Sequence, residues 1–232
     1  MCFSAEASLG VAVALLPAGG YCVCAAWRKN RAYLPLALVP VLFGLQQLCE
    51  MQVWIGLGRG EAEVTRRASL AFLFFALAVW PVWVPAAAAA VEPRRGARWA
   101  FVALAGVGVV YALAYYLPVA ADRGRGLGPA VAGHSIRYDF SGVPAALSSG
   151  WWVWPILYAG AVILPLLASG RRRLRPLGVA VAVAAIASYA LFERAFASVW
   201  CFFAAILALY LSYVLYRVPK IPAPDAGPPP SN

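Results

Sequence analysis

The chain has 232 residues, 63% of them hydrophobic and only 12% charged, with a mean hydropathy of +0.76. A soluble domain carries about 25% charged residues, and a water-soluble bundle needs a polar face on every helix, so that class is excluded. The net charge of +10 has a membrane explanation, because basic connectors set orientation and meet anionic headgroups; the expected partner is the lipid bilayer, and no nucleic acid.

Seven apolar stretches follow, each near the roughly 20 residues that a helix needs to cross a bilayer core. Met1-Cys-Phe-Ser-Ala-Glu6 precedes the first and lacks the basic n-region of a signal peptide, so retention of this end is expected. The first stretch, Ala7–Trp27, ends at the basic connector Arg28–Arg31. The second, Leu34–Leu57, carries Gln46, Gln47, Glu50 and Trp54 at spacings of three and four, which puts Glu50 on a helix face with both glutamines. The third, Ala68–Val91, leads into the connector Glu92–Arg98. The fourth, Trp99–Val119, closes on Tyr111, Tyr115 and Tyr116, placed as interfacial aromatics.

A long connector, Ala120–Ser149, holds a Gly-rich run, the chain's single histidine (His134), Arg137, Tyr138 and Asp139. Connectors of this length are usually functional or unstructured. The fifth stretch, Gly150–Ala168, begins with Trp151, Trp152 and Trp154, again at an expected interface. After the cluster Arg171–Arg175 come Pro176–Phe192, the short turn with Glu193 and Arg194, and Ala195–Tyr216, which contains Ser198, Trp200 and Cys201. Residues 219–232 are a proline-rich tail that cannot form a core. The domain reading is a transmembrane domain over 1–218 and a disordered cytoplasmic tail over 219–232.

Lipid cannot satisfy free backbone N–H and C=O groups, so these stretches are expected as helices packed together. With the N-terminus outside, twelve of the 19 basic residues fall in inner connectors and seven outside, which favours an N-out, C-in orientation; Arg66 and Arg67 count against it. The expected fold is an all-α integral membrane protein, a bundle of about seven transmembrane helices in a bacterial inner membrane.

That orientation gathers the polar residues on the outer half. Glu50 lies about eight residues from its helix exit, roughly 12 Å deep at 1.5 Å per residue. A carboxylate there costs on the order of 3 kcal/mol and should face the bundle interior with a partner. Gln46, Gln47, Glu50, Trp54, Glu193, Arg194 and Trp200 are the candidate ligand-binding set for an outward-facing polar pocket. Each has a plainer reading: belt aromatics, a solvated Glu193–Arg194 pair, or glutamines that only tie helices together. Cys2, His134 and Cys201 are the candidate metal ligands, since thiolate with imidazole suits zinc or copper, and Cys2 with Cys201 is an alternative disulfide. Glu50 and His134 are the candidate catalytic groups. No cofactor is specified. A single histidine excludes bis-histidine haem, both lysines lie at the inner surface away from a Schiff-base position, and no phosphate-binding glycine loop is present.

Met1-Cys-Phe-Ser-Ala, Phe43-Gly-Leu-Gln-Gln-Leu-Cys-Glu50 with Trp54, Trp80-Pro-Val-Trp-Val-Pro85 and Ser198-Val-Trp-Cys-Phe-Phe-Ala-Ala205 together resemble an uncharacterised bacterial family of multi-pass membrane proteins. The resemblance covers most of the chain apart from its tail. It implies a membrane bundle and no particular activity. The expected function is binding or sensing of a small molecule or lipid near Glu50. The alternatives are a membrane-embedded enzyme using Glu50, His134 and Cys2 or Cys201, and a transporter or channel subunit.

Overall fold

The computed structural model describes residues 4–132, 135–140, 153–192 and 196–219. It is mostly helical, and five of its helices are long and apolar enough to cross a membrane. Two shorter apolar helices accompany them.

Helix α1, Ala5–Lys29, starts where the Ser4 hydroxyl accepts the Ala7 N–H at 3.2 Å, an N-cap that satisfies one orphan donor of the first turn. A short 3-10 turn, Arg31–Tyr33, and helix α2, Leu34–Ala37, lead into α3, Val39–Arg59. Helix α3 stops at Gly60, whose φ of 69° is a left-handed C-cap that a side chain would strain. Helices α1 and α3 lie antiparallel, with Gly19 against Val41 and Gly44 against Leu16. Small residues at such contacts let helix backbones approach, which is how helices associate where lipid removes the hydrophobic drive.

Helix α4, Ala62–Leu73, runs through a π-helical segment, Phe74–Val79, into α5, Trp80–Val91. Pro81 explains the wide turn: it lacks an N–H, and its ring displaces the carbonyl four residues back. Helix α6, Arg95–Ala121, is pressed on α5, and a Cβ added to Gly108 would meet the Pro81 carbonyl. Helices α7, Val153–Leu167, α8, Arg175–Phe192, α9, Phe196–Ala208, and α10, Tyr210–Tyr216, complete the bundle. Outward faces are apolar stripes, Val110, Leu113 and Leu117 on α6 and Val179, Val183 and Ile186 on α8, all exposed. Runs of this kind mark a surface meant for lipid or a partner and not for water.

The long connector departs from the all-helical expectation. Strand β1, Leu127–Ala132, pairs antiparallel with β2, Ser135–Phe140, from Leu127 opposite Phe140 to Ala132 opposite Ser135. On β2, Ile136 and Tyr138 turn inward and pack with Val53, Phe72, Leu73 and Ala76. The ring of Tyr138 stacks on Phe72 at 5.1 Å. Arg66 donates to the Arg123 carbonyl and pairs with Glu63 at 2.7 Å, fastening α4 to the turn that enters the hairpin. Its place on the side that the charge count disfavours therefore has a structural cause. Tyr111 packs within the protein, buried, stacked on Tyr115 at 4.8 Å and 5.3 Å from Tyr158.

The opposite end of the bundle is held by cations on helix C-termini, where unpaired carbonyls concentrate negative potential. Lys29 donates to the carbonyls of Leu215 and Tyr216 at 3.3 and 2.6 Å. Arg98 donates twice to the Glu92 carbonyl, Arg171 to that of Val91 at 2.7 Å, and Arg175 to that of Ser169 at 3.0 Å.

Candidate functional site

Helix α3 builds the site because three buried polar residues share one of its faces. Gln46, Gln47 and Glu50 are all fully buried. Gln47 Nε2 donates to Glu50 Oε2 at 3.2 Å, one turn along the helix. Trp80 Nε1, brought from α5, donates to Gln46 Oε1 at 2.7 Å, and the Trp80 ring stacks on Phe43 at 3.8 Å. The π-helical segment directly precedes Trp80, so the wide turn sets the position from which the indole reaches α3. Such segments are common at functional positions in helices.

Cys201 on α9 is also buried, and packs with Val53 and Trp54 of α3. Its neighbour Trp200 meets Tyr158 edge to face at 5.3 Å. Trp54 lies one turn beyond Glu50 and packs with the group that includes Val53, Tyr138 and Cys201. Among the described residues, Gln46 Nε2, Gln47 Oε1 and Trp54 Nε1 are buried in this region without a hydrogen-bond partner. Buried polar groups are nearly always paired, so a concentration of orphans needs an explanation. Ser8 and Ser69 add two unpaired hydroxyls. The registers set by Gly19 on Val41 and by Gly56 on Thr65 carry both serines to the level of the α3 turn after Glu50.

Beside the polar cluster runs a cavity of about 50 Å³ whose walls are apolar. Phe43, Trp80, Tyr158, Trp200 and Cys201 form its end nearest Glu50, and Leu36 and Leu211 its far end. Trp80 thus belongs to both the cavity and the polar cluster. The hairpin, through Ile136 and Tyr138, covers the α3 and α4 ends next to Trp54.

Of the sequence candidates, the fold brings Gln46, Gln47, Glu50, Trp54, Trp200 and Cys201 into one region. Cys2, His134, Glu193 and Arg194 lie outside the described residues. Among the described residues no three His, Cys, Asp or Glu side chains come together as a metal site, and Cys22, Cys24, Cys49 and Cys201 are free thiols. Sequence reasoning missed Trp80 and Tyr158 as walls of the site. The only sequence signal was the Trp-Pro pair at Trp80, which marks a helix interruption without naming its partner.

A family model spans residues 1–226, and its description is a family of unknown function, DUF6629. The chain belongs to that family. No curated protein and no solved structure matches it. Membership covers every site residue named above and brings no activity with it, so the chemistry rests on the side chains alone.

A second buried carboxylate lies at the arginine end, and sequence reading passed over it. Glu92 is fully buried at the close of α5 and accepts from Arg94 Nε at 2.7 Å, the Gly170 N–H at 2.7 Å, the Arg94 N–H at 3.2 Å and the Ser169 hydroxyl at 3.2 Å. Burial pushes its pKa up, but the Arg94 guanidinium and the three other donors outweigh this and hold it below the ordinary 4.5. Every acceptor there is used, so this cluster is a clasp between the α5 and α7 ends.

Proposed function

We propose that this family member is a seven-helix protein of a bacterial inner membrane, N-terminus outside and C-terminus inside, whose pocket around Glu50 binds or senses a small molecule or lipid. The five long apolar helices and the two shorter ones match the seven stretches in order. The arginine-rich end, with Arg94, Arg98, Arg171 and Arg175 on helix termini, supports a cytoplasmic placement of that end by the positive-inside rule. The Glu50 end then faces outward, under the hairpin.

The observation that carries the binding reading is the set of three buried polar atoms without a partner among the described residues, beside a fully buried carboxyl group. A bundle that only needed helix–helix glue would pair those atoms with one another. Left unpaired, each costs about 1–3 kcal/mol of desolvation, and a bound molecule supplies the missing partners. The runner-up is catalysis by Glu50 with His134 and a cysteine, supported by the burial of both Glu50 and Cys201.

The test is native mass spectrometry of the purified protein in detergent, wild type against Glu50→Gln. A bound species of defined mass in the wild type, weakened or lost in the variant at unchanged helical content, is the expected result. Identical spectra without any adduct would remove the pocket.

A further inference from the structure

The seam between α5 and α6 is headed by a cation that no carboxylate among the described residues neutralises. Resting on the membrane placement of the arginine end proposed above, and not on the Glu50 pocket, we infer that this seam binds an anionic phospholipid. Its phosphate sits on the Arg98 guanidinium, and an acyl chain follows the alanine-lined groove below.

The charge comes first. Arg98 Nε and Nη2 donate to the Glu92 carbonyl at 3.1 and 2.7 Å, which fixes the guanidinium at the close of α5. A carbonyl carries no net charge, and the Glu92 carboxylate is occupied by Arg94, Ser169 and Gly170. Among the described residues no carboxylate forms an ion pair with Arg98. The two bonds leave the Nη1 end of the fork for an acceptor, and a guanidinium already held in place loses little freedom when a phosphate oxygen arrives. Arg95, exposed three residues earlier, adds a second positive charge. Trp99, next in the chain, is exposed as well, and an exposed indole beside arginines marks the headgroup level of a bilayer.

The groove sets the rest of the ligand. Helices α5 and α6 run antiparallel, with Arg98 on the Glu92 carbonyl at one end and Gly108 against Pro81 at the other. Between them lies an open groove of about 350 Å³, walled by Ala86, Ala89 and Ala90 of α5 and by Val102 and Ala105 of α6, with Arg98 as its one charged lining residue. From Arg98 to Ala105 the groove runs about 10 Å at 1.5 Å per residue, against roughly 15 Å of hydrocarbon in one leaflet. It therefore starts at headgroup level and follows most of the leaflet depth, as a phospholipid anchored by its phosphate does. The same charge argues against a second copy of the chain as occupant. Two copies of one orientation meet about an axis along the membrane normal, which sets Arg98 against Arg98 at one level, and like charges repel strongly at a hydrocarbon border. An anionic headgroup turns that repulsion into attraction.

The test titrates the full chain, stripped of lipid in detergent, with phosphatidylglycerol and with phosphatidylcholine of identical acyl chains, and counts bound lipid by native mass spectrometry. Phosphatidylglycerol should bind about tenfold more tightly, a difference worth one charge-assisted hydrogen bond. Arg98→Gln should erase that preference. Ala90→Leu, at an exposed position of the groove, should weaken phosphatidylglycerol about tenfold, and Arg172→Gln, exposed outside the groove, should leave it unchanged. Equal affinity for the two lipids overturns the inference, and so does equal weakening by Arg172→Gln and Arg98→Gln, which shows diffuse attraction to a basic surface. Competition by soluble glycerol phosphate at the same concentration as the lipid removes the acyl chain from the assignment and overturns it too. A dimer that Ala90→Leu disrupts makes a second copy the occupant. The lipid preference is read on the wild type, so it decides even where Arg98→Gln fails to fold. Detergent carries no sidedness, so a reversed orientation in the membrane would sink the placement and leave this binding intact. Glu50→Gln should hold phosphatidylglycerol as the wild type does; its loss there would move the lipid to the Glu50 pocket and refute the groove.

Discussion

The hydrogen bond from Trp80 to Gln46 concentrates the logic of the site in one pair. The spacing of Gln46, Gln47 and Glu50 made a shared helix face legible, because residues three and four apart necessarily lie together on a helix. Nothing local named the indole 34 residues away that the amide binds, since the partner is set by how α5 packs on α3. Trp80→Phe keeps a ring to stack on Phe43 but strands the Gln46 carbonyl in the interior. A loss of about 1–3 kcal/mol is expected, read as the shift in denaturant unfolding of the detergent-solubilised protein. Adding Gln46→Leu to Trp80→Phe should recover most of that loss, because removing both partners leaves no unsatisfied group. Additive destabilisation by the two changes would show that the bond is not what couples the helices.

At the scale of elements, the apolar stretches located the helices to within a few residues, with α4 beginning at Ala62 where the hydropathy reading starts at Ala68. The amphipathic first turns of α4, with Glu63, Arg66 and Arg67, lowered the local hydropathy although the helix continues through them. The hairpin was missed for a different reason. Strand β2 alternates Ile136, Tyr138 and Phe140 with polar residues, a period of two that was available to be read. Its partner β1 contains Gly128 and Pro129, which disfavour strands, so the pairing itself had no local signature. The contact of α5 with α6 turns on Gly108. Gly108→Leu should separate the two helices and cost about 1–3 kcal/mol by overpacking, whereas Gly106→Ala, where a Cβ meets nothing within 4 Å, should be neutral or raise stability by about 0.4–1 kcal/mol. Thermal unfolding of both variants in one detergent checks the contrast, and equal effects would show that the helices are not in close contact at Gly108.

At the scale of the whole molecule, the two ends are built from opposite chemistry. One end leaves polar atoms unpaired beside a buried carboxyl, and the other saturates a buried carboxylate with donors. Glu92 predicts an acid limit to stability. Its pKa in the folded protein lies below the ordinary 4.5, so its contribution is fully present above that value and fades as pH falls through the depressed folded value. Measured between pH 7 and pH 3, wild-type stability should drop more steeply at the acid end than that of Glu92→Gln, which is less stable at neutral pH. Parallel curves for the two proteins would remove Glu92 from the balance.

Composition and the order of apolar stretches determined by themselves that this chain is mostly helical, with helices long and apolar enough to cross a membrane, because a backbone in hydrocarbon has few ways to satisfy its own polar groups. The buried carboxyl and its glutamines were equally determined, since helical periodicity is a local property. Which aromatic meets Gln46, which atoms stay unpaired, where the cavity runs and why Glu92 is clasped were decided only by tertiary packing. Each depends on the relative placement of helices distant in sequence, and at that range a run of apolar residues fits many neighbours almost equally well.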